Sequence, residues 1–201
     1  MFEDDDDAQF DDQLEGDIEQ FESFLLGSKL GFIDSDRMEA IIDHYLSSGD
    51  FVKAKRAAEI ADTNFSYNPV FKLRMAQALS GLKQFNDSLL VLGTLENVGL
   101  PKFEVLVTYG TIYSQMKDFN SSIHYLTMAL PLAETEDQID IYLDIAYAYQ
   151  KLNSIDKSIE VLENGLALHP TAEPLLYELG FSYDRVGKYQ EAIDTYLQYI
   201  E

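Results

Sequence analysis

The chain has 201 residues, 46% of them hydrophobic, no cysteine and a net charge of −22. This length allows one domain with a sizeable core, while the lack of thiols excludes disulfides and thiolate metal sites and fits a reducing, cytoplasmic location. No apolar run of about 18 residues is present to span a membrane, and the strong negative charge argues against nucleic acid and anionic membrane surfaces as partners.

The first 22 residues hold eleven acids and no Lys or Arg, which leaves 25 acids against 14 bases in residues 23–201. Four consecutive aspartates, Asp4 to Asp7, have poor helix propensity and repel one another. We therefore expect residues 1–11 to form an acidic, disordered tail that is simply solvated. The alternative is that the tail attracts a basic partner or a divalent cation.

Residues 12–33 read as an amphipathic helix followed by a linker. Ile18, Phe21, Phe24 and Leu25 fall at helical spacing with acids between them. A helix this short is not stable alone, so it must dock on another surface. We expect it to cap the first repeat; the alternatives are that it lies in the chain's own groove or in a partner.

The rest of the chain repeats small and large residues at a pitch of 34 residues, with one step of 36. Each unit has a large residue that opens its second helix, a small residue three positions later, and a second small position nine residues before the large one. Antiparallel helices approach closely only where side chains are small, so this pattern predicts helix hairpins. The large residues are Phe51, Phe85, Phe119, Ile155 and Tyr189; the small ones that follow are Ala54, Ser88, Ser122, Ser158 and Ala192; the earlier positions are Ile42, Ala76, Gly110, Ala146 and Gly180, small in all but the first.

These residues resemble the tetratricopeptide repeat family. The fifth unit carries the signature best, through Leu179-Gly180, Tyr183, Gly187, Tyr189, Ala192 and Tyr196, and the fourth carries it through Ala146, Tyr149, Leu162, Gly165 and Pro170. The signature tryptophan is missing, since the chain contains none. The resemblance covers residues 35–201 in five repeats, at about 35–68, 69–102, 103–138, 139–172 and 173–201.

The resemblance implies an all-α, right-handed superhelical solenoid of stacked helix–turn–helix hairpins. The first helix of each hairpin would line a concave groove that binds an extended peptide or a helix. One subgroup of the family clamps a peptide carboxylate with Lys, Asn and Arg, but Glu39 and Asp43 stand where that subgroup has Lys and Asn. We therefore expect a neutral, apolar or basic protein segment as partner. The predicted groove residues are Arg74, Gln77, Thr108, Thr111, Asp140, Asp144, Tyr147, Lys151, Tyr177, Phe181 and Arg185.

Nothing in the sequence points to catalysis, a cofactor or a metal. The histidines, His44, His124 and His169, stand in three different repeats and in no ligand-like spacing. The phosphate-binding, dinucleotide-binding and nucleophile-elbow motifs do not occur. The sequence thus predicts a non-enzymatic protein-interaction scaffold. The alternative is the regulatory or oligomerisation part of a longer protein whose enzymatic domain lies outside this chain.

The last predicted helix, roughly residues 188–201, presents an apolar face made of Ile193, Tyr196, Leu197 and Ile200. A solenoid needs a polar cap to cover such a face, and no cap follows in this sequence. Either the chain is a fragment of a longer array, or the C-terminal repeat forms a homodimer.

Overall fold

A computed structural model describes residues 3–29, 31–95 and 102–200, with side chains from Gln13 onward in those ranges. Within these ranges the secondary structure is helical, with one single-turn 3-10 helix, Leu130–Leu132, and no strand. The chain divides into two compact units, Met1–Leu100 and Pro101–Glu201. The first contains α1 (Glu3–Leu25), α2 (Ser35–Ser47), α3 (Phe51–Asn64), α4 (Val70–Gly81) and α5 (Phe85–Gly93); the second contains α6 (Lys102–Gln115), α7 (Phe119–Ala129), α8 (Thr135–Lys151), α9 (Ile155–Leu168), α10 (Glu173–Arg185) and α11 (Tyr189–Ile200).

The N-terminal segment differs from the expected disordered tail, because α1 begins at Glu3. The acids of the tail therefore occupy the first turns of the helix, where the helix dipole favours negative charge and offsets their poor propensity. Met1 and Phe2 lie outside the described residues.

The C-terminal half of α1 docks on the first hairpin. Phe21 is wholly buried in a cluster with Ile33, Met38, Ile41 and Tyr45. Because the carboxylate of Asp17 is buried, it requires a partner, and the guanidinium of Arg37 donates to both of its oxygens, with Nε 2.6 Å from Oδ2. α1 thus lies against the first hairpin. That it serves as an N-terminal cap stays a prediction.

The hairpins follow the predicted register. Each second helix begins on the expected large residue, at Phe51, Phe85, Phe119, Ile155 and Tyr189. The small residue three positions later is buried in all five hairpins. In the second hairpin the two small positions are joined directly, since the Ser88 hydroxyl donates to the Ala76 carbonyl at 2.6 Å.

Two glycines mark the closest helix crossings in the second unit. A Cβ on Gly110 would lie 2.6 Å from Cγ of Leu126 on α7, and a Cβ on Gly180 would lie 2.6 Å from the ring of Tyr196 on α11. Such distances are well below van der Waals contact, so no side chain fits at either point. The predicted role of the small residues, which is to let the two helices of a hairpin approach, is confirmed at these positions.

All five hairpins turn through one residue in the left-handed backbone region, two positions before the second helix. Glycine fills it at Gly49 and Gly187, where φ is 77° in both. Lys83, Lys117 and Asn153 adopt the same conformation with φ of 60°, 63° and 55°. For a side-chain-bearing residue such as lysine this conformation costs about 1–2 kcal/mol, so the second and third turns are strained.

Glycine at these turns is expected to stabilise the protein. Lys83→Gly and Lys117→Gly should each raise the free energy of unfolding by about 0.5–1 kcal/mol, because the relieved strain exceeds the extra backbone entropy of the unfolded chain. Urea unfolding followed by circular dichroism measures the change. Gly49→Ala is the control, and it should lower the free energy of unfolding. Nothing lies within 4 Å of its added Cβ, so a loss of stability there comes only from the backbone conformation. A lower midpoint for both lysine variants would contradict the expectation.

Candidate functional site

The second unit contains a cleft of about 510 Å³. Its walls come from the first helices of three consecutive hairpins, α6, α8 and α10, which are the helices expected to line a groove. The lining residues are Ser114, Leu143, Asp144, Tyr147, Gln150, Pro174, Tyr177, Glu178 and Phe181.

Three aromatic side chains dominate the cleft. Tyr147, Tyr177 and Phe181 expose 47%, 51% and 41% of their surface, so their rings are accessible to a ligand. The ring of Tyr147 meets that of Phe119 edge-on at 6.3 Å, and the ring of Tyr177 lies 5.9 Å from that of Tyr199. Two of the three rings are therefore held by a neighbouring ring, while about half of each remains exposed.

Two cations lie over these rings. Nζ of Lys151 is 4.7 Å from the Tyr147 centroid, and the guanidinium carbon of Arg185 is 5.9 Å from the Phe181 centroid. In each case the cation stands four residues after the ring on one helix, which brings the two side chains to one face. In the described part of the chain, neither cation forms an ion pair with a carboxylate.

Acidic groups lie on the other side of the rings. Crowding in the cleft removes hydration from Asp144 and raises the pKa of its carboxyl, and the nearby charge of Asp140 raises it further. Part of the Asp144 side chain remains in contact with solvent. Glu178 is held differently, because the side-chain amide of Gln150 donates to its Oε2 at 3.3 Å and reaches Ser182 Oγ at the same distance.

The structure brings together four of the predicted groove residues as cleft lining: Asp144, Tyr147, Tyr177 and Phe181. Lys151 and Arg185 adjoin the cleft, because they lie over the rings of Tyr147 and Phe181. Asp140 and Thr111 are exposed on α8 and α6 but do not line it. Thr108 differs from expectation: it is buried, and its hydroxyl donates to the Glu104 carbonyl at 2.8 Å, so that donor is used within α6.

The predicted groove residues Arg74 and Gln77 lie on α4, in the first unit. Arg74 is mostly enclosed, with its guanidinium 2.7 Å from Asp43 and 3.1 Å from Glu39. It therefore joins α4 to α2 and pairs with the two acids that argued against carboxylate binding, although one positive charge offsets only one of their two negative charges. Gln77 is half-buried one turn further along α4.

Ser114 and Glu178 stand on the polar face that the first helices were expected to turn to the groove, whereas sequence reasoning missed Leu143, Gln150 and Pro174 as cleft residues. Leu143 also packs against the core of its hairpin, and proline near a helix start is ordinary, so neither stands out. The repeat pitch could have found Leu143, because it stands 34 residues before Tyr177.

Comparison with known proteins supports the repeat assignment. A family model for the tetratricopeptide repeat matches residues 139–171 and 173–201, which are the hairpins α8–α9 and α10–α11. No curated protein sequence matches the chain significantly.

Solved structures of repeat proteins share the fold. A crystal structure of MamA protein has a TM-score of 0.64 at 20% identity, covering 83% of this chain and 90% of that one. MamA from residue 41 to its end, from Desulfovibrio magneticus, gives 0.65 at 17% identity, covering 83% and 93%. A thermophilic TPR protein of Thermus thermophilus, TTC0263, gives 0.57 at 19% identity, covering 83% and 90%. At these identities the likeness concerns the fold alone.

The chain is therefore an all-α protein of stacked helix–turn–helix hairpins, the predicted solenoid class. The tetratricopeptide repeat model matches its fourth and fifth hairpins, so the resemblance seen in the sequence is confirmed for these two.

Neither a membrane-crossing helix nor a metal cluster occurs in the described ranges. None of the helices there is both long and apolar enough to cross a membrane. Nor do three or more metal-ligating side chains come together among the same residues.

Proposed function

We propose that this protein is a non-enzymatic interaction scaffold, and that the cleft between α6, α8 and α10 is its partner-binding site. The observation that carries the proposal is the set of exposed rings of Tyr147, Tyr177 and Phe181 in one cleft. Aromatic side chains dominate the binding energy of protein interfaces, and each can contribute about 2 kcal/mol or more as a hot spot.

The character of the cleft supports a partner segment with apolar side chains. The rings offer an apolar floor, and the carboxylates of Asp144 and Glu178 favour a neutral or basic neighbour. The curvature and spacing of the first helices in stacked hairpins suit such a segment, whether it is helical or extended.

Removing the rings tests the proposal. Tyr147→Ala with Phe181→Ala should reduce recovery of partner proteins from native lysate at least tenfold, since two hot-spot rings are lost together. The matched control is Tyr189→Ala, which removes an exposed ring of α11 outside the cleft lining. Quantitative mass spectrometry of the bound fraction gives the readout. Equal recovery by the double variant and the control would overturn the assignment of the cleft.

A second candidate role is oligomerisation, which is favoured by the apolar face of α11. Ile193, Leu197 and Ile200 are all exposed there. An apolar face of this kind is stabilised by a partner surface, either from a second copy of the chain or from a further repeat. It stays a prediction that the C-terminal repeat forms a homodimer, or that this chain is the oligomerisation part of a longer protein.

A further inference from the structure

The cleft repeats three side-chain types on two neighbouring helices. At equivalent positions, 34 residues apart, α8 and α10 carry an acid, then an aromatic ring, then a cation. We call these the acidic row (Asp144 and Glu178), the aromatic row (Tyr147 and Phe181) and the basic row (Lys151 and Arg185).

The spacing of the rows follows from helix geometry. Acid and ring stand three residues apart, and ring and cation four, so all three lie on one face of each helix. With a rise of 1.5 Å per residue, the acidic and basic rows are separated by about 10.5 Å along the helix axis. That distance equals the diameter of an α-helix with its side chains, which is about 10–12 Å.

The charges of the rows are open to a ligand to different extents. Lys151 and Arg185 contact rings but no carboxylate, and Asp144 has neither an ion-pair nor a hydrogen-bond partner within the described ranges. Placement near the C-terminal ends of α8 and α10 explains why cations are favourable there. The i, i+4 spacing then brings each cation over the ring that lines the cleft.

We propose that the cleft binds an amphipathic helix of mixed charge that lies across α8 and α10. Its apolar stripe contacts the aromatic row, an acidic flank faces Lys151 and Arg185, and a basic flank faces Asp144 and Glu178. A helix can present one stripe and two flanks together, whereas an extended segment turns alternate side chains away. This inference rests on the proposed function of the cleft and adds the chemistry and conformation of the partner.

Three synthetic helical peptides test the inference. They share a Leu/Phe stripe and differ in their flanks, which are Glu on one side and Lys on the other, Glu on both, or Lys on both. Fluorescence anisotropy with the full 201-residue chain at low salt should show the mixed peptide binding about three- to tenfold more tightly than either single-charge peptide. Two partly exposed charge pairs gained on one flank account for a change of that size.

Charge reversal in the protein should act on one flank at a time. Lys151→Glu with Arg185→Glu should weaken the mixed and all-Glu peptides and strengthen the all-Lys peptide. Asp144→Lys with Glu178→Lys should weaken the mixed and all-Lys peptides and strengthen the all-Glu peptide. The matched control is Lys157→Glu with Lys188→Glu, because these lysines also lie over rings, those of Tyr149 and Tyr183, but these rings do not line the cleft. It should preserve the ranking of the three peptides.

The outcomes separate this inference from the proposed function. Equal affinity for all three peptides, or failure of every peptide to bind, overturns the mixed-charge helix. If the peptides fail in this way but Tyr147→Ala with Phe181→Ala still reduces the capture of partners from lysate, the cleft remains the proposed binding site. If the rings also make no difference to lysate capture, the proposed function falls as well.

Discussion

Replacing Gly110 by valine is expected to lower the free energy of unfolding by about 2–3 kcal/mol, the cost of forcing a larger side chain into a filled core. The Cβ alone would lie 2.6 Å from Leu126 Cγ, and Leu126 is itself buried, so it cannot retreat into solvent. The strain therefore falls on the crossing of α6 and α7. Urea unfolding followed by circular dichroism measures the loss.

Gly16→Val is the matched control for Gly110→Val. Gly16 is an exposed residue within α1, and no atom lies within 4 Å of its added Cβ. The same substitution there should change stability by no more than about 0.5 kcal/mol, since valine and glycine differ little in helix propensity. A similar loss of stability at both glycines would mean that it comes from placing valine in a helix and not from the crossing of α6 and α7.

A double-mutant cycle shows whether Leu126 is the residue in conflict. Leu126→Ala alone should cost about 2–5 kcal/mol, because it leaves a cavity in the core. Combined with Gly110→Val, the valine fills part of that space, so the double variant should lose at least about 1 kcal/mol less than the sum of the single changes. Strict additivity would contradict the contact.

Replacing Phe21 by alanine is the second large effect, with an expected loss of about 3–5 kcal/mol in the stability of the α1 docking. The ring is wholly buried and lies 6.1 Å from that of Tyr45 on α2, centroid to centroid. Hydrogen exchange measured by mass spectrometry should show faster exchange along α1 and in α2. Hydrogen exchange in the later hairpins should differ less from that of the unmodified protein, since proteins open in local units.

The polar contacts of α1 define what should remain after the ring is lost. Asp17 with Arg37, and Glu22 with Lys53 at 2.7 Å, still attract α1 to the first hairpin. The second pair is largely exposed and so contributes little stability. Leu26→Ala is the control, because Leu26 follows α1 and is 90% exposed. If both variants leave exchange in α1 unchanged, Phe21 is not the residue that anchors α1.

The register of the hairpins was predictable because it depends on local features. Small residues at one pitch mark where two helices can touch, and glycine admits the left-handed conformation at the first and fifth turns. Phe51 to Tyr189 accordingly open the second helices where expected. The aromatic residues of the cleft were predictable for a related reason, since Tyr147 and Phe181 do not fall in the core columns of the repeat.

The pairing of charges was not predictable from local features. Arg74 carries the pattern of a groove residue, but it is engaged by Glu39 and Asp43, which approach only when α2 and α4 stack. Asp17 and Arg37 likewise form an ion pair across the linker between α1 and α2. The start of α1 at Glu3 also differs from expectation, because propensity argued against helix while the dipole and the continuing amphipathic segment favour it.

The sequence by itself determined the class of the protein, the residue that opens each second helix and the positions where the helices of a hairpin meet, because steric fit between residues close along the chain decides all three. It misplaced the start of the fourth hairpin, since α8 begins at Thr135 and not at residue 139. Only the tertiary structure decided which side chains form the cleft and which charges already have an ion-pair partner. Those outcomes depend on residues about 34 positions apart, whose distances are set by how one hairpin stacks on the next.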